Sequence, residues 1–275
     1  MAEFEMKNEL AYVSVDEHAS EITSFRDLST KTEYMWQGDA GYWKGRNPTL
    51  FPVVGSTYDK ILHINGKEYV TGNHGFTRNS DFTCIEHTEN CIIMELKDSA
   101  ETLEQYPYHF VLQNRYELDG KQLKITTTVK NTNDEVMPFN FGYHPAFNCP
   151  PGEYGNYDDY KLTWNKEETY RVEEQYVCNV TETALNPDDL HKTIVITAPQ
   201  SDVFSLTNGE HGVRVYAEGY PWVAFWSPHA PFVCIEPWHS HADFEEVRVP
   251  FDEREGTLKL GPGEVFSTFY VIEIF

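Results

Sequence analysis

The feature that most constrains this chain is the period of its apolar residues, which is two rather than 3.6 wherever a pattern is sustained. In KQLKITTTVK (121–130), Leu123, Ile125, Thr127 and Val129 point to one side while Lys124, Thr126, Thr128 and Lys130 point to the other, the alternation of a half-buried strand. Short runs of the same kind recur, and the chain closes on another, VFSTFYVIEIF. Hairpin turns are expected at Asn65-Gly66, Asp119-Gly120 and Asn208-Gly209, because these dipeptides tolerate the positive φ angles of a tight two-residue turn. Only AETLEQY (100–106) and NPDDLHK (186–192) read as a turn or two of helix.

A chain with so little helix must bury its strands against other strands. Seventeen Tyr, seventeen Phe and six Trp bring the aromatic content to 15%, which suits the thick interior of two packed sheets. The expected fold is all-β, a large antiparallel β-sandwich, and the 275 residues are expected to form one domain spanning 1–275. No internal repeat is visible, which argues against a propeller or solenoid.

Charge narrows the partners. Twenty-one basic against 44 acidic residues leave a net charge of −23, a surface that repels phosphate backbones and anionic bilayers. Neither nucleic acid nor membrane is expected as a partner. The N-terminal MAEFEMKNEL lacks the basic start and apolar core of a signal peptide, so a cytoplasmic location is expected. The five cysteines (Cys84, Cys91, Cys149, Cys178, Cys234) are scattered without a C-x-x-C pair, as reduced thiols would be. Oligomeric state is not readable from the sequence.

Two segments break the strand pattern alike. FNFGYHPAF (139–147) and FVCIEPW (232–238) each climb through apolar residues to a titratable side chain followed by proline. Proline removes a backbone donor and holds the preceding residue extended, so His144 and Glu236 are expected at strand ends where ladder pairing stops. Counting by twos, His144 shares a face with Asn140 and Gly142, whose missing side chain is expected to leave open space. Glu236 shares a face with Phe232 and Cys234. An imidazole and a carboxylate facing one cavity could move protons in both directions. From periodicity alone, a core histidine and an ordinary rim carboxylate are the commoner explanation.

At these residues the chain resembles the aldose 1-epimerase (galactose mutarotase-like) family, and within it a bacterial subgroup associated with lactose operons. Four ordered blocks carry the resemblance: TEYMWQGDAGYWKGRNPTLFPVVG (32–55), NHGFTRNSDF (73–82), FGYHPAFN (141–148) and CIEPW (234–238). The resemblance implies a sandwich of the galactose mutarotase type that interconverts α and β anomers of a small-molecule sugar, an aldohexose, without a cofactor. By the same resemblance His144 is the acid that protonates the ring oxygen and Glu236 the base at the anomeric hydroxyl. His74 and Arg78 are expected to hydrogen-bond sugar hydroxyls, Arg46 to bind substrate, and Trp238 to lie against the C–H face of the pyranose. The chain departs from the subgroup after EPW, where His239-Ser240-His241-Ala242-Asp243 replaces the usual glycine, and it offers Glu218 rather than an aspartate ahead of the catalytic glutamate.

Three rival readings come with these residues. His239, His241 and Glu245 could form a cupin-like metal set. A sugar-binding or sensor protein would keep the pocket without turnover. A hexose 6-phosphate epimerase could recruit Lys44, Arg46 and Arg78 for the phosphate.

Overall fold

The computed structural model describes residues 2–275 and is an antiparallel β-sandwich. Its main sheet runs in the spatial order Thr49–Leu50, Gly142–Tyr143, Phe232–Trp238, Trp222–Trp226, Ile194–Thr197, Lys161–Val172, Val203–Thr207, Gly212–Tyr216, Val265–Ile274, Gln122–Asn131, Phe110–Asp119, Cys91–Lys97 and Thr83–His87. Strands far apart in this order nevertheless touch. Tyr143 donates from its hydroxyl to Thr127 Oγ1 (2.6 Å) and its ring lies 4.4 Å from that of Tyr270, while Phe51 meets Phe110 at 5.0 Å. The sheet therefore folds back on itself and its two halves enclose the core.

The period-two reading holds in detail. Leu123, Ile125, Thr127 and Val129 are all buried, and Gln122–Asn131 pairs with Phe110–Asp119 across the expected turn. The Asn65-Gly66 turn joins Leu62–Ile64 to Lys67–Tyr69 with φ of 51° and 73° at its two centres, a combination that asparagine and glycine tolerate. Val203–Thr207 and Gly212–Tyr216 also pair as a hairpin, but the connection is the four-residue loop 208–211 rather than a two-residue Asn208-Gly209 turn. Helix is confined to Ala100–Gln105, Pro187–Lys192 and three 3₁₀ turns. Among the described residues no helix is long and apolar enough to cross a membrane.

One expectation is corrected. Ladder pairing does not stop at Glu236-Pro237: the strand runs through to Trp238, pairing with Trp222–Trp226 from Cys234 to Trp238. The break is confined to the other side. There the partner is split into Gly142–Tyr143 and Ala146–Asn148, with His144-Pro145 in the gap. Gly142 opposes Trp238 and Ala146 opposes Cys234, so carrying that register across the gap sets His144 directly opposite Glu236.

Parity then sorts the side chains. Phe141, Tyr143, Phe147, Val233, Ile235, Val223 and Phe225 face the core. Gly142, His144, Cys234, Glu236, Trp238, Ala224 and Trp226 share the other face. The space expected at Gly142 is occupied by the indole of Trp238, since a Cβ there would lie 2.7 Å from Trp238 Cδ1. Gly142→Ala should therefore lower stability by about 1–3 kcal/mol, read as a fall in Tm with a shift in tryptophan emission. An unchanged Tm would show that the indole moves aside freely.

Candidate active site

The face that carries His144 and Glu236 forms the floor of a cavity of about 1120 Å³, walled by Trp43, His74, Arg78, Trp226 and Trp238. His144 Nε2 lies 3.5 Å from Glu236 Oε2, and the two residues are 6% and 1% exposed. Across the strand from Glu236 stands Ala224, whose small side chain leaves the carboxylate reachable from the cavity. Further along the floor, Trp222 and Trp238 pack with Leu50, Val54 and Val195.

Aromatic rings fix the imidazole. Trp43 stacks on His144 with centroids 4.7 Å apart at 28°, Trp226 meets it edge-on at 5.5 Å, and His74 meets it edge-on at 5.3 Å. Trp43 comes from a long loop that is itself tied down. Trp36 donates its indole N–H to the Trp43 carbonyl (2.8 Å), and the carboxylate of Glu21 accepts from the backbone N–H groups of Arg46 (2.8 Å) and Asn47 (3.1 Å). The loop's far end adds a further tie, Ala146 donating its N–H to the Arg46 carbonyl (2.9 Å).

His74 is oriented by its backbone and its ring. It adopts φ of 63° ahead of Gly75 at 73°, and a Cβ on Gly75 would fall 2.2 Å from the Phe51 carbonyl oxygen, so only glycine fits there. Gly55 donates its N–H to His74 Nδ1 (3.0 Å), which leaves the ring proton on Nε2. Burial, reinforced by Arg78, pushes the His74 pKa down to about 3. It is thus a neutral donor across the physiological range.

Burial acts in opposite directions on the central pair. It lifts the Glu236 carboxyl well above the usual carboxylate range; the Trp238 indole opposes this only in part, because it forms no well-aligned hydrogen bond to the carboxylate. Burial, with the nearby His74 and Arg78, drives His144 well below the usual imidazole range. Both effects disfavour charge, so burial favours a neutral carboxyl beside a neutral imidazole. His144 Nδ1, Glu236 Oε2 and Trp238 Nε1 are buried without hydrogen-bond partners among the described residues. Each such atom costs about 1–3 kcal/mol unless something fills its valence.

Of the residues singled out in the sequence, His74, Arg78, His144, Glu236 and Trp238 line this one cavity. Arg46 does not: its side chain lines a separate surface cleft with Tyr12, Ser24 and Glu33, and its contribution to the site is through its backbone. The cupin-like set does not assemble either. His239 turns to the opposite side, bonding Thr268 Oγ1 at 2.7 Å, while His241 stacks on Phe244. The strand ends at Trp238, so the alternation that would have put both imidazoles on one face does not extend to them. Trp43 and Trp226 were not singled out, although Trp43 sits in the first motif block and Trp226 shares the parity of Ala224, opposite Glu236.

Comparison with known proteins bears on this geometry. The family model for aldose 1-epimerase matches residues 3–268. The chain belongs to the aldose 1-epimerase family. It is 30% identical to the chromosomal protein LacX of Lactococcus lactis subsp. lactis, over 98% of both chains, in keeping with the bacterial subgroup that the motif blocks resemble. A galactose mutarotase related enzyme from Lactobacillus acidophilus superposes with a TM-score of 0.93 at 28% identity, over 100% of this chain and 97% of that one. A galactose mutarotase-like protein from Lactobacillus casei gives 0.91 at 24% identity, over the whole of both chains. The sandwich is therefore that of the galactose mutarotase-like folds, and the cavity lies at its split strand.

Two predictions follow from this electrostatic layout. A folded-state pKa raised by burial means that the native chain binds the Glu236 proton more tightly than the unfolded chain, so stability falls as pH rises above the ordinary carboxylate range. Glu236→Gln, neutral and of the same shape, should raise Tm at pH 7, by about 2–4 °C per kcal/mol released, and flatten that pH dependence. An unchanged or lower Tm would refute the buried-charge penalty. Trp43→Ala should open His144 to water and bring its titration, followed by NMR, back toward about 6.5; an unmoved titration would deny Trp43 that role.

Proposed function

We propose that this protein is a mutarotase that interconverts the α and β anomers of an unphosphorylated aldohexose in the cytoplasm, acting without a cofactor as one catalytic unit over residues 1–275. The observation that carries this reading is the opposed pair of His144 and Glu236, 3.5 Å apart on the cavity floor. Ring opening must remove a proton from O1 and deliver one to O5, and both oxygens are bonded to C1. The two groups serving them must therefore stand close together, and a cross-strand pair does.

In the working form the pair's proton lies on His144 and Glu236 is ionised, one proton transfer away from the resting arrangement. Glu236 takes the proton of the anomeric hydroxyl; the C1–O5 bond breaks as the C1=O1 double bond forms; His144 gives its proton to O5. After rotation about C1–C2, reclosure on the other carbonyl face returns both protons. The pair ends as it began. His74 Nε2–H and Arg78 supply donors for oxygens that gain charge during opening, and the indoles of Trp43 and Trp238 offer apolar surface to the sugar's C–H bonds. Positioned acid–base groups give about 10²–10⁴-fold each, sufficient for a reaction that already proceeds in water.

The cavity's cations favour a neutral sugar. Lys192 is paired with Glu173 (3.0 Å), Arg254 with Asp243, and the Arg171 guanidinium lies 3.8 Å over the Phe244 ring. A phosphate drawn to any of these three would have to displace its contact, against a net charge of −23, which leaves Arg78 as the remaining cation of the wall.

Polarimetry of freshly dissolved α-glucose and α-galactose, with their 6-phosphates alongside, tests the reading. The free sugars should mutarotate faster with protein than in buffer, and Glu236→Gln and His144→Ala should each lower kcat by at least about a hundredfold without loss of fold. Sugar binding with no acceleration would instead indicate a sensor. A wild-type rate in either variant would remove that residue from the mechanism.

A further inference from the structure

We propose that the catalytic pair and Cys234 together form a binding site for a thiophilic divalent cation of the zinc type, and that occupancy reversibly shuts the sugar site. Cys234 and Glu236 lie two residues apart on one face of the same strand, and His144 stands opposite Glu236 on the split neighbour. One ligand atom from each of the three falls within 4.8 Å of the other two. In a tetrahedral zinc site with bonds of about 2.0–2.3 Å, ligand atoms stand roughly 3.3–3.8 Å apart. The His144–Glu236 separation of 3.5 Å is already in that range, and the widest separation must close by only about 1 Å.

The chemistry of the three donors matches such an ion. Imidazole nitrogen, thiol sulfur and carboxylate oxygen form a mixed set that suits zinc or cobalt and is too soft for magnesium or calcium. Cys234 is a free, buried cysteine, set among Trp36, Ala146, Ala230 and Phe232, where low polarity strengthens an ion's hold on its ligands. His144 and Glu236 open onto the cavity, which gives the ion an entry path and a water a fourth position. Binding displaces the thiol proton and the proton shared by the pair to solvent. The ion then occupies the imidazole lone pair and carboxylate oxygen that proton transfer requires, so it competes with turnover. That the blocked cavity is the sugar site rests on the functional reading above; that the three side chains hold an ion does not.

The test uses the full, untagged chain carrying Cys178→Ala, since Cys178 is an exposed thiol. Calorimetric titration with zinc chloride should show one ion per chain, mutarotation should be lost as zinc reaches stoichiometry, and a chelator should restore it. Magnesium at the same concentrations should do neither. Cobalt chloride should give a thiolate-to-metal charge-transfer band. Cys234→Ala should keep the basal mutarotation rate, lose that band and weaken zinc binding by at least about tenfold; Cys234→Ser, closer in volume, is measured beside it in case alanine leaves a void. Absence of zinc binding, a band that persists in the Cys234 variants, or full activity with zinc bound would each overturn the proposal. If no sugar is turned over at all, the functional reading fails, while stoichiometry and the cobalt band still decide the metal site.

Discussion

Everything at the site depends on one interrupted ladder. Antiparallel pairing places opposite residues on the same face with their Cβ atoms about 4.5–5.5 Å apart, so two residues that share a register position are held together by the backbone alone. His144 and Glu236 share such a position, yet a regular ladder would leave their side chains in a packed row. The proline after His144 opens the row. On one strand it splits the partner, freeing His144 from its own ladder; on the other the strand continues, because its opposite side remains paired with Trp222–Trp226. The result is a gap two residues wide, floored by rigid sheet.

The same sheet sets the electrostatics. A carboxyl and an imidazole, both buried in a low-dielectric floor, each resist ionisation, and the cost is lowest when they share one proton. This arrangement is unfavourable for the fold, and the surroundings offset it. The core beneath the floor contributes Phe141, Tyr143, Ile235 and Phe225, each fully buried or nearly so. The loop above it is pinned by Glu21 and Trp36. Groups that resist charge in the empty state, one proton transfer from an ion pair, are suited to a reaction in which acid and base exchange roles at reclosure.

The sequence was most informative where a short-range rule has no competitor. Period-two alternation located the strands, Asn-Gly and Asp-Gly located the hairpins, and the two X-Pro steps located the catalytic candidates, because each of these depends on neighbours along the chain. Arg46 was misplaced for the opposite reason: a side chain of that length on a loop has several cavities in reach, and only the fold decides that it faces Glu33 and Tyr12. Trp43 was missed for a related reason, since a loop tryptophan carries no periodicity, and its stacking on His144 depends on anchors at Glu21 and Trp36. The register that opposes His144 to Glu236 is a long-range property of pairing, legible only once Gly142 is seen beside Trp238 and Ala146 beside Cys234.

The departure from the subgroup after EPW shows how the chain remakes a rim once the strand has ended at Trp238. A glycine would leave the chain free to turn away; here His239 points inward to Thr268 and Tyr220. Ser240 accepts from the Phe141 N–H and donates to the Gly256 carbonyl. His241 swings outward over Trp222 and Phe244. Asp243 then closes the segment by pairing with Arg254 and accepting from the Tyr58 N–H. Each of these residues is held by a named partner, so the rim acts as a braced continuation of the Phe232–Trp238 strand rather than a loose loop. A wall built in this way holds its shape as a sugar enters. On the proposed mutarotase reading, discrimination among sugars falls to the donors His74 and Arg78 and to the flat faces of Trp43 and Trp238, which reward hydroxyls at one set of carbons and bare C–H bonds at the other.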